Sequence, residues 1–475
     1  MSGAKLTKLQ VDAILKEGAY YCLDDYALRA EILEKINAAF LDGIARLAGA
    51  ASRDGVAADG LRQLHRHFPI AKIHLLEAHL MRVLRDELYF WSFRVGADTF
   101  GLPDPFYVDH LIVLRIHYPF LLARSARDIE PPPVLWGERM RLAYAALHDW
   151  PALRDYVAKR RDSTRPPTAK ASQHNAFAYH GQIPVPARSH GPHIDTWYGH
   201  SYDGINLWLS IDGVNVDNTV ILYPELFGRP LTFDPVSMYI ARGVELPKPY
   251  KVELEPGQLL AFNPETLHGT QVNISDETRV ALTTRINPAQ PRFGPDASSY
   301  MEHWYCSEDL RRRKFSAVRR FSSAEHQGKP SFVERERYQG NRTIRMAKSE
   351  RIEQAAPVAV CPADALRPGA KLAVDFPNAK LMLWRAGNEL RAFSRTCPHL
   401  GIDIADGYHD ETQVFCPGHG IAFALADGRS RCEAFKLRQF EAYEQDGMIY
   451  VARMGNVADE SKPEAATDRR AIEQS

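Results

Sequence analysis

Two short arms dominate what this chain can become: Cys397-Pro-His399 and Cys416-Pro-Gly-His419, joined by the stretch from Leu400 to Phe415. Each arm carries one thiol and one imidazole, so four ligands assemble only if two loops fold over the same point. Gly401, Gly418 and Gly420 flank the ligands, and glycine allows the tight backbone that such loops need. Strand-like runs surround them: KLAVDF (371–376), AKLMLWRA (379–386) and GMIYVAR (447–453). Short β-rich runs bounded by turn residues predict a small all-β unit over 355–453, with the ligands at the tips of two loops.

The ligand set narrows the metal. Two thiolates and two imidazoles suit a [2Fe–2S] cluster in which histidines replace cysteines on one iron, the replacement that defines a Rieske centre. Zinc is the alternative, but zinc modules more often join C-x2-C to H-x3-5-H, and mixed arms fit that poorly. On RTCPHLG, CPGHG, FALADGR and DGMIYV, residues 355–453 resemble the Rieske ferredoxin family. Respiratory-chain members carry an extra cysteine in each loop, where this chain has Ile402 and Gly418. The resemblance is therefore to the soluble, lower-potential ferredoxins. It implies one-electron traffic near the bottom of the roughly −150 to +300 mV Rieske range.

The rest of the 475 residues is too long for that unit alone and predicts further domains. Residues 1–170 read as mainly helical, with Ile32, Leu33, Ile36, Phe40, Ile44 and Leu47 on one helical face and a second run near 73–91. Arg160 to Ser172 reads as a connection. Short β-rich runs follow at 205–211, 219–224, 250–264 and 279–286, with Glu255-Pro256-Gly257 as a turn. Residues 295–350 are basic and read as helical or irregular, and residues 454–475 as a polar, disordered tail. Lys plus Arg equals Asp plus Glu at 59 each, which argues against nucleic acid as a main partner. The apolar stretch from Leu111 to Leu122 is interrupted by Arg115, His117 and Pro119, and no secretory signal is apparent. Six cysteines do not suggest a disulfide scaffold. A cytoplasmic protein without a membrane partner is expected.

A second set lies in the β-rich middle. His193-Ile-Asp195 comes first, His268 stands well downstream in NPETLHGT, and Arg279 follows in DETRVAL. Two imidazoles and one carboxylate on one face of Fe(II) leave open positions for oxygen and a chelating co-substrate. A guanidinium can hold a carboxylate bidentately. This pattern resembles the phytanoyl-CoA dioxygenase family of Fe(II)/2-oxoglutarate oxygenases over about 170–290. His193, Asp195 and His268 match its iron ligands, and Arg279 its co-substrate arginine. Trp208 and Thr270 match residues of its co-substrate pocket. One departure is Pro224-Glu-Leu-Phe-Gly-Arg-Pro, where the family usually has a Pro-Gly-Ser-His-like turn. His190 and His200 flank the triad and read as supporting residues, while His65, His67 and His74 read as core or surface.

The resemblance implies an α+β chain: a helix-wrapped double-stranded β-helix (jelly roll) over 171–350, followed by the all-β Rieske domain. It implies Fe(II), a [2Fe–2S] cluster and 2-oxoglutarate as cofactors. Hydroxylation of a small molecule by O2 is expected, with desaturation or ring formation open to the same site. A NAD(P)H-dependent ferredoxin reductase is the expected electron source, and a homo-oligomer is compatible. Two alternatives stand beside this: a cluster-driven iron oxygenase that does not use 2-oxoglutarate, and a non-catalytic redox relay or sensor.

Overall fold

The computed structural model describes residues 6–124, 189–233, 239–241, 243–294, 299–321, 343–347, 349–352, 356–387, 389–399 and 401–453. The connection at 160–172 and the tail from Met454 lie outside them. The chain opens with helices α1 (Lys8–Glu17), α2 (Arg29–Ala48), α3 (Ala50–Asp59), α4 (Leu64–His67) and α5 (Ile73–Arg94). Thr7 and Gln10 close a capping box that starts α1. In α2 the expected stripe is realised: Ile32, Ile36, Phe40 and Ile44 are buried. Burying each is worth about 1.5–3 kcal/mol, which secures α2 against α5.

Further strands follow the helical opening or are threaded through it: β1 (Tyr21–Leu23), β2 (Tyr107–Asp109), β3 (Val113–His117), β4 (Ile205–Asp212), β5 (Val220–Leu222), β6 (Tyr250–Lys251), β7 (Leu259–Phe262), β8 (His268–Thr270), β9 (Arg279–Asn287), β10 (His303–Cys306) and β11 (Val318–Arg320). Eight form one sheet in the order β1-β7-β4-β9-β2-β10-β11, with β3 also on β9; β6-β5-β8 form a smaller one. Alternation divides β4 and β9 cleanly. Leu207, Leu209, Val280 and Leu282 join the helical core, whereas Trp208 and Ala281 pack with Val220 and Leu222 of the small sheet. The space between the two sheets receives Asn206, Trp208, Thr283 and Arg285, which the β4–β9 register places on one face.

Strands also lie within stretches that read as mainly helical: residues 1–170 contribute β1, β2 and β3 to the large sheet. Leu114 and Ile116 face the helical core while Arg115 faces the other way, an alternation concealed by polar residues. The basic stretch 295–350 also contains strands. Arg319 and Arg320 sit on edge strand β11, where charge is tolerated, and pair with Asp309 and Glu302.

The C-terminal unit is all-β, apart from short turns of helix. Its strands are β12 (Thr343–Arg345), β13 (Val358–Pro362), β14 (Lys371–Phe376), β15 (Ala379–Ala386), β16 (Glu389–Ser394), β17 (Gln413–Phe415), β18 (Ala422–Ala424), β19 (Gln439–Gln445) and β20 (Met448–Arg453). Seven make a sheet, β12-β14-β15-β16-β19-β20-β13, and β17–β18 form a hairpin. β12 comes from the basic stretch and pairs in parallel with β14. Among the described residues no helix is long and apolar enough to cross a membrane.

Candidate metal centres

His193, Asp195 and His268 come together between the two sheets. His268 opens β8, and a bridge to His193 aligns the two backbones, with His193 N–H to His268 O at 2.8 Å and His268 N–H to His193 O at 2.9 Å. Their ligand atoms all lie within 4.8 Å of one another, and among the described residues no other three His, Cys, Asp or Glu residues do so. Asp195 Oδ1 is 3.5 Å from His193 Nε2 and 3.7 Å from His268 Nε2.

Each imidazole is oriented by its other nitrogen. His193 Nδ1 donates to Gly191 O at 2.7 Å and His268 Nδ1 to Thr266 O at 2.9 Å. Both Nε2 lone pairs then point inward, the tautomer a metal needs. Burial, then His193, pushes the His268 imidazole down to about 3, so it stands neutral. Asp195 is held from its outer oxygen: Oδ2 accepts from Asn206 Nδ2 at 2.8 Å and from Arg285 Nη2 and Nε at 2.7 and 3.1 Å. Burial works to raise its carboxyl, but Arg285 and then His268 overcome this and hold it well below the usual carboxylate range. Two imidazoles and one carboxylate with converging donor atoms fit a divalent iron.

The cavity around the triad is lined by Trp208 and Thr270, and by Arg115, Arg285 and His190. Arg279 does not line it. The residue is fully buried at the far end of the β9 face, donating Nη1 to Asn218 O and Nη2 to His117 Nδ1, the latter at 2.7 Å. Arg115, opposite Ala281 on β3, is the cavity arginine with unused capacity. Its Nε has no hydrogen-bond partner among the described residues. Burial and then Arg285 lower its guanidinium to about 10, which leaves it charged. Sequence reasoning missed Arg115, Asn206 and Arg285. Arg285 could have been found, since counting in twos along β9 from Arg279 reaches it.

The second centre is built from two matching loops. Gly401 N–H returns to Cys397 O at 2.8 Å, and Gly420 N–H to Cys416 O at 3.0 Å. Both glycines have positive φ, 71° and 65°. Cys397, Cys416 and His419 are buried, and the His399 and His419 rings are 4.9 Å apart, edge to face. A hydrogen bond with Cys397, then burial, pushes the Cys416 thiol well up, against the N–H groups of Gly418 and His419. Those N–H groups aimed at sulfur are what a thiolate-bound cluster requires, so the residues fit the group. Their ligand atoms do not close to the spacing of the triad, as suits a cluster of two irons rather than a single ion. Where respiratory-chain relatives carry extra cysteines, Ile402 packs on Gly418: a Cβ there would lie 2.1 Å from Ile402 Cδ1.

Comparison with known proteins bears on this unit. Residues 356–441 match the family described as the Rieske [2Fe-2S] domain. Ferredoxin CarAc of Metapseudomonas resinovorans is 33% identical over 97 residues, 20% of this chain and 90% of that protein. Among solved structures, the ferredoxin of carbazole 1,9a-dioxygenase from Nocardioides aromaticivorans IC177 is 28% identical, covering 21% of this chain and 98% of its own, at a TM-score of 0.20. The Sphingomonas yanoikuyae B1 ferredoxin is 23% identical, covering 20% and 98%, at 0.19. With four ligands on two glycine-bearing loops and a relative matched over nearly its whole length, the chain belongs, through residues 356–441, to the Rieske [2Fe-2S] domain family.

Proposed function

We propose that the chain is a non-haem Fe(II)/2-oxoglutarate oxygenase acting on a small molecule, with its Rieske unit as an electron donor. The observation that carries this is the convergence of His193 Nε2, His268 Nε2 and Asp195 Oδ1 within 4.8 Å, inside the space between two sheets. Iron held there supplies oxygen activation. The protein's own contribution is positional. Gly191 and Thr266 carbonyls orient the imidazoles, and Arg285 with Asn206 turns Asp195 Oδ1 inward. Arg115 offers a guanidinium to the far carboxylate of 2-oxoglutarate, and Trp208 and Phe262 wall the cavity against water.

Two facing sheets with helices on one outer face support the double-stranded β-helix of phytanoyl-CoA dioxygenase-like enzymes. In this reading the oxygenase part includes β1 to β3 and extends to about residue 321, and the Rieske part recruits β12. The relative named a ferredoxin supports electron carriage, for which a NAD(P)H-dependent reductase is the natural source.

A second reading has its own observation. Arg279, the expected co-substrate residue, already donates to Asn218 and His117. This favours an iron driven by cluster electrons without 2-oxoglutarate.

The test uses the full chain, anaerobic and with the cluster reduced. Fe(II) is bound first, and the visible difference spectrum on adding 2-oxoglutarate is recorded, so cluster absorbance cancels. A chelate charge-transfer band that needs higher 2-oxoglutarate in Arg115→Ala supports the first reading. No band with Fe(II) demonstrably bound removes it and leaves the second.

A further inference from the structure

Of the two ligand loops, 416–420 is buried throughout, while in the first Cys397 is buried, His399 half-buried and Pro398 and Gly401 exposed. Cys397, Cys416 and His419 are each 1% exposed. His399 meets the Phe120 ring edge to face at 5.1 Å and Phe435 at 5.4 Å. Phe120 belongs to the segment after β3, and its N–H is anchored on Asn273 O at 2.8 Å. The cluster end of the Rieske unit is therefore seated on the oxygenase part of the same chain.

The second loop, 416–420, reaches the backbone behind the triad. Gly191 has no space for a side chain: a Cβ there would lie 2.8 Å from the Tyr239 ring and 3.1 Å from the Gly418 carbonyl oxygen. The carbonyl of this same Gly191 accepts the His193 Nδ1–H at 2.7 Å. The Gly418 carbonyl of the cluster loop thus stands beside the residue whose own carbonyl holds the His193 imidazole. Gly420 makes a second approach, since a Cβ on it would lie 2.3 Å from Ile221 Cδ1. Ile221 pairs across the small sheet with Gly269, the residue after His268. Both imidazoles of the triad are thus backed by segments that one cluster loop touches.

The rim of this seat is polar and paired. Gly243 N–H donates to Asp406 Oδ2 at 2.9 Å, Lys371 pairs with Glu245 at 3.1 Å, and Arg431 with Asp217 at 2.8 Å. Apolar contact at the centre and charge pairs at the edge are the anatomy of a specific interface.

We propose that this seat is an intra-chain junction: the Gly418–Gly191 contact holds the cluster loop on the triad of its own chain, so the two metal sites form one unit without a second copy. The inference rests on the metal reading proposed above. Glycine at 191 serves it by leaving out the side chain that would crowd the Gly418 carbonyl. Burial of His419 in the seat also leaves that ligand no open path to the triad of another chain.

Paramagnetic relaxation tests this without turnover. The full chain, with its cluster intact and reduced by dithionite, is loaded at the triad with Mn(II) or with diamagnetic Zn(II). The microwave power that half-saturates the cluster EPR signal is then measured over a range of protein concentrations. A several-fold rise with Mn(II), unchanged on dilution, is expected. Asp217→Arg with Glu245→Lys sets like charges against Arg431 and Lys371; this double variant should lower the enhancement while cluster absorbance and Mn(II) binding persist. Equal saturation with Mn(II) and Zn(II), an enhancement that fades on dilution, or full enhancement in the double variant would overturn the junction. Failure of Mn(II) to bind, read separately from its free EPR signal, would overturn the metal reading and the junction with it.

Discussion

Arg285 Nη2 lies 2.7 Å from Asp195 Oδ2, and Asn206 Nδ2 shares that oxygen at 2.8 Å. One carboxylate oxygen is thereby committed to the protein and the other is turned toward both imidazoles. Partners that orient a metal ligand typically carry about 10–100-fold of metal affinity. Arg285→Met should therefore weaken Mn(II) binding by about that factor, with the cluster spectrum intact, and Arg285→Lys by less. An unchanged Mn(II) titration in Arg285→Met would show that Asp195 needs no such support.

Arg115 and Arg279 should separate by phenotype. Arg115 lines the cavity, and a hydrogen bond to a charged group is worth about 1.5–3 kcal/mol. Arg115→Ala should raise the 2-oxoglutarate concentration for half-maximal difference absorbance by about 10–100-fold, with little change in thermal midpoint. Arg279 is fully buried, with acceptors at Asn218 and His117. Arg279→Ala should lower the midpoint by several degrees first, because it strands those acceptors. Weaker co-substrate binding in a fully stable Arg279→Ala would return the role to Arg279.

His117 makes the fold acid-sensitive. Its Nδ1 must be unprotonated to accept from Arg279, and burial followed by Arg279 pushes its imidazole well below the usual value. The unfolded chain binds a proton that the folded chain refuses once pH falls below about 6.5. Stability should thus fall as pH drops through that value and recover above it. Denaturant midpoints at about pH 7.5 and about pH 5.5 measure the slope, and His117→Gln, which keeps an acceptor, should flatten it.

Iron content should divide by site. The full chain should hold about three iron atoms, two in a [2Fe–2S] cluster and one at the triad. His193→Ala should leave about two with the cluster spectrum unchanged, and Cys397→Ser with Cys416→Ser about one with that spectrum gone. A preparation that never exceeds two would argue for a redox protein without a mononuclear iron.

Much of both centres was legible in the linear sequence, for reasons of spacing. The Rieske ligands all fall between Cys397 and His419 on two local loops, and glycines at 401 and 420 announce the turns. The stripe of α2 and the strands β4, β7 and β9 follow from periods of 3.6 and two, which need no knowledge of neighbours. The triad was legible as a pattern, because His-x-Asp and a distant His are residue types that one metal requires together.

What only tertiary structure decided is which side chains meet. Arg115 was hidden in an apolar run, and its placement on the cavity face depends on β3 pairing with β9 in one register rather than the next. Arg279 kept its expected strand position, yet its guanidinium went to His117, directly opposite on β3 and far away in sequence. The docking of Gly418 on Gly191 joins segments that stand in different halves of the chain. Local sequence determines turns, periods and ligand types, because those follow from each residue and its near neighbours. Register and long-range contact are set by how whole faces bury one another, and that balance is struck only in the folded chain.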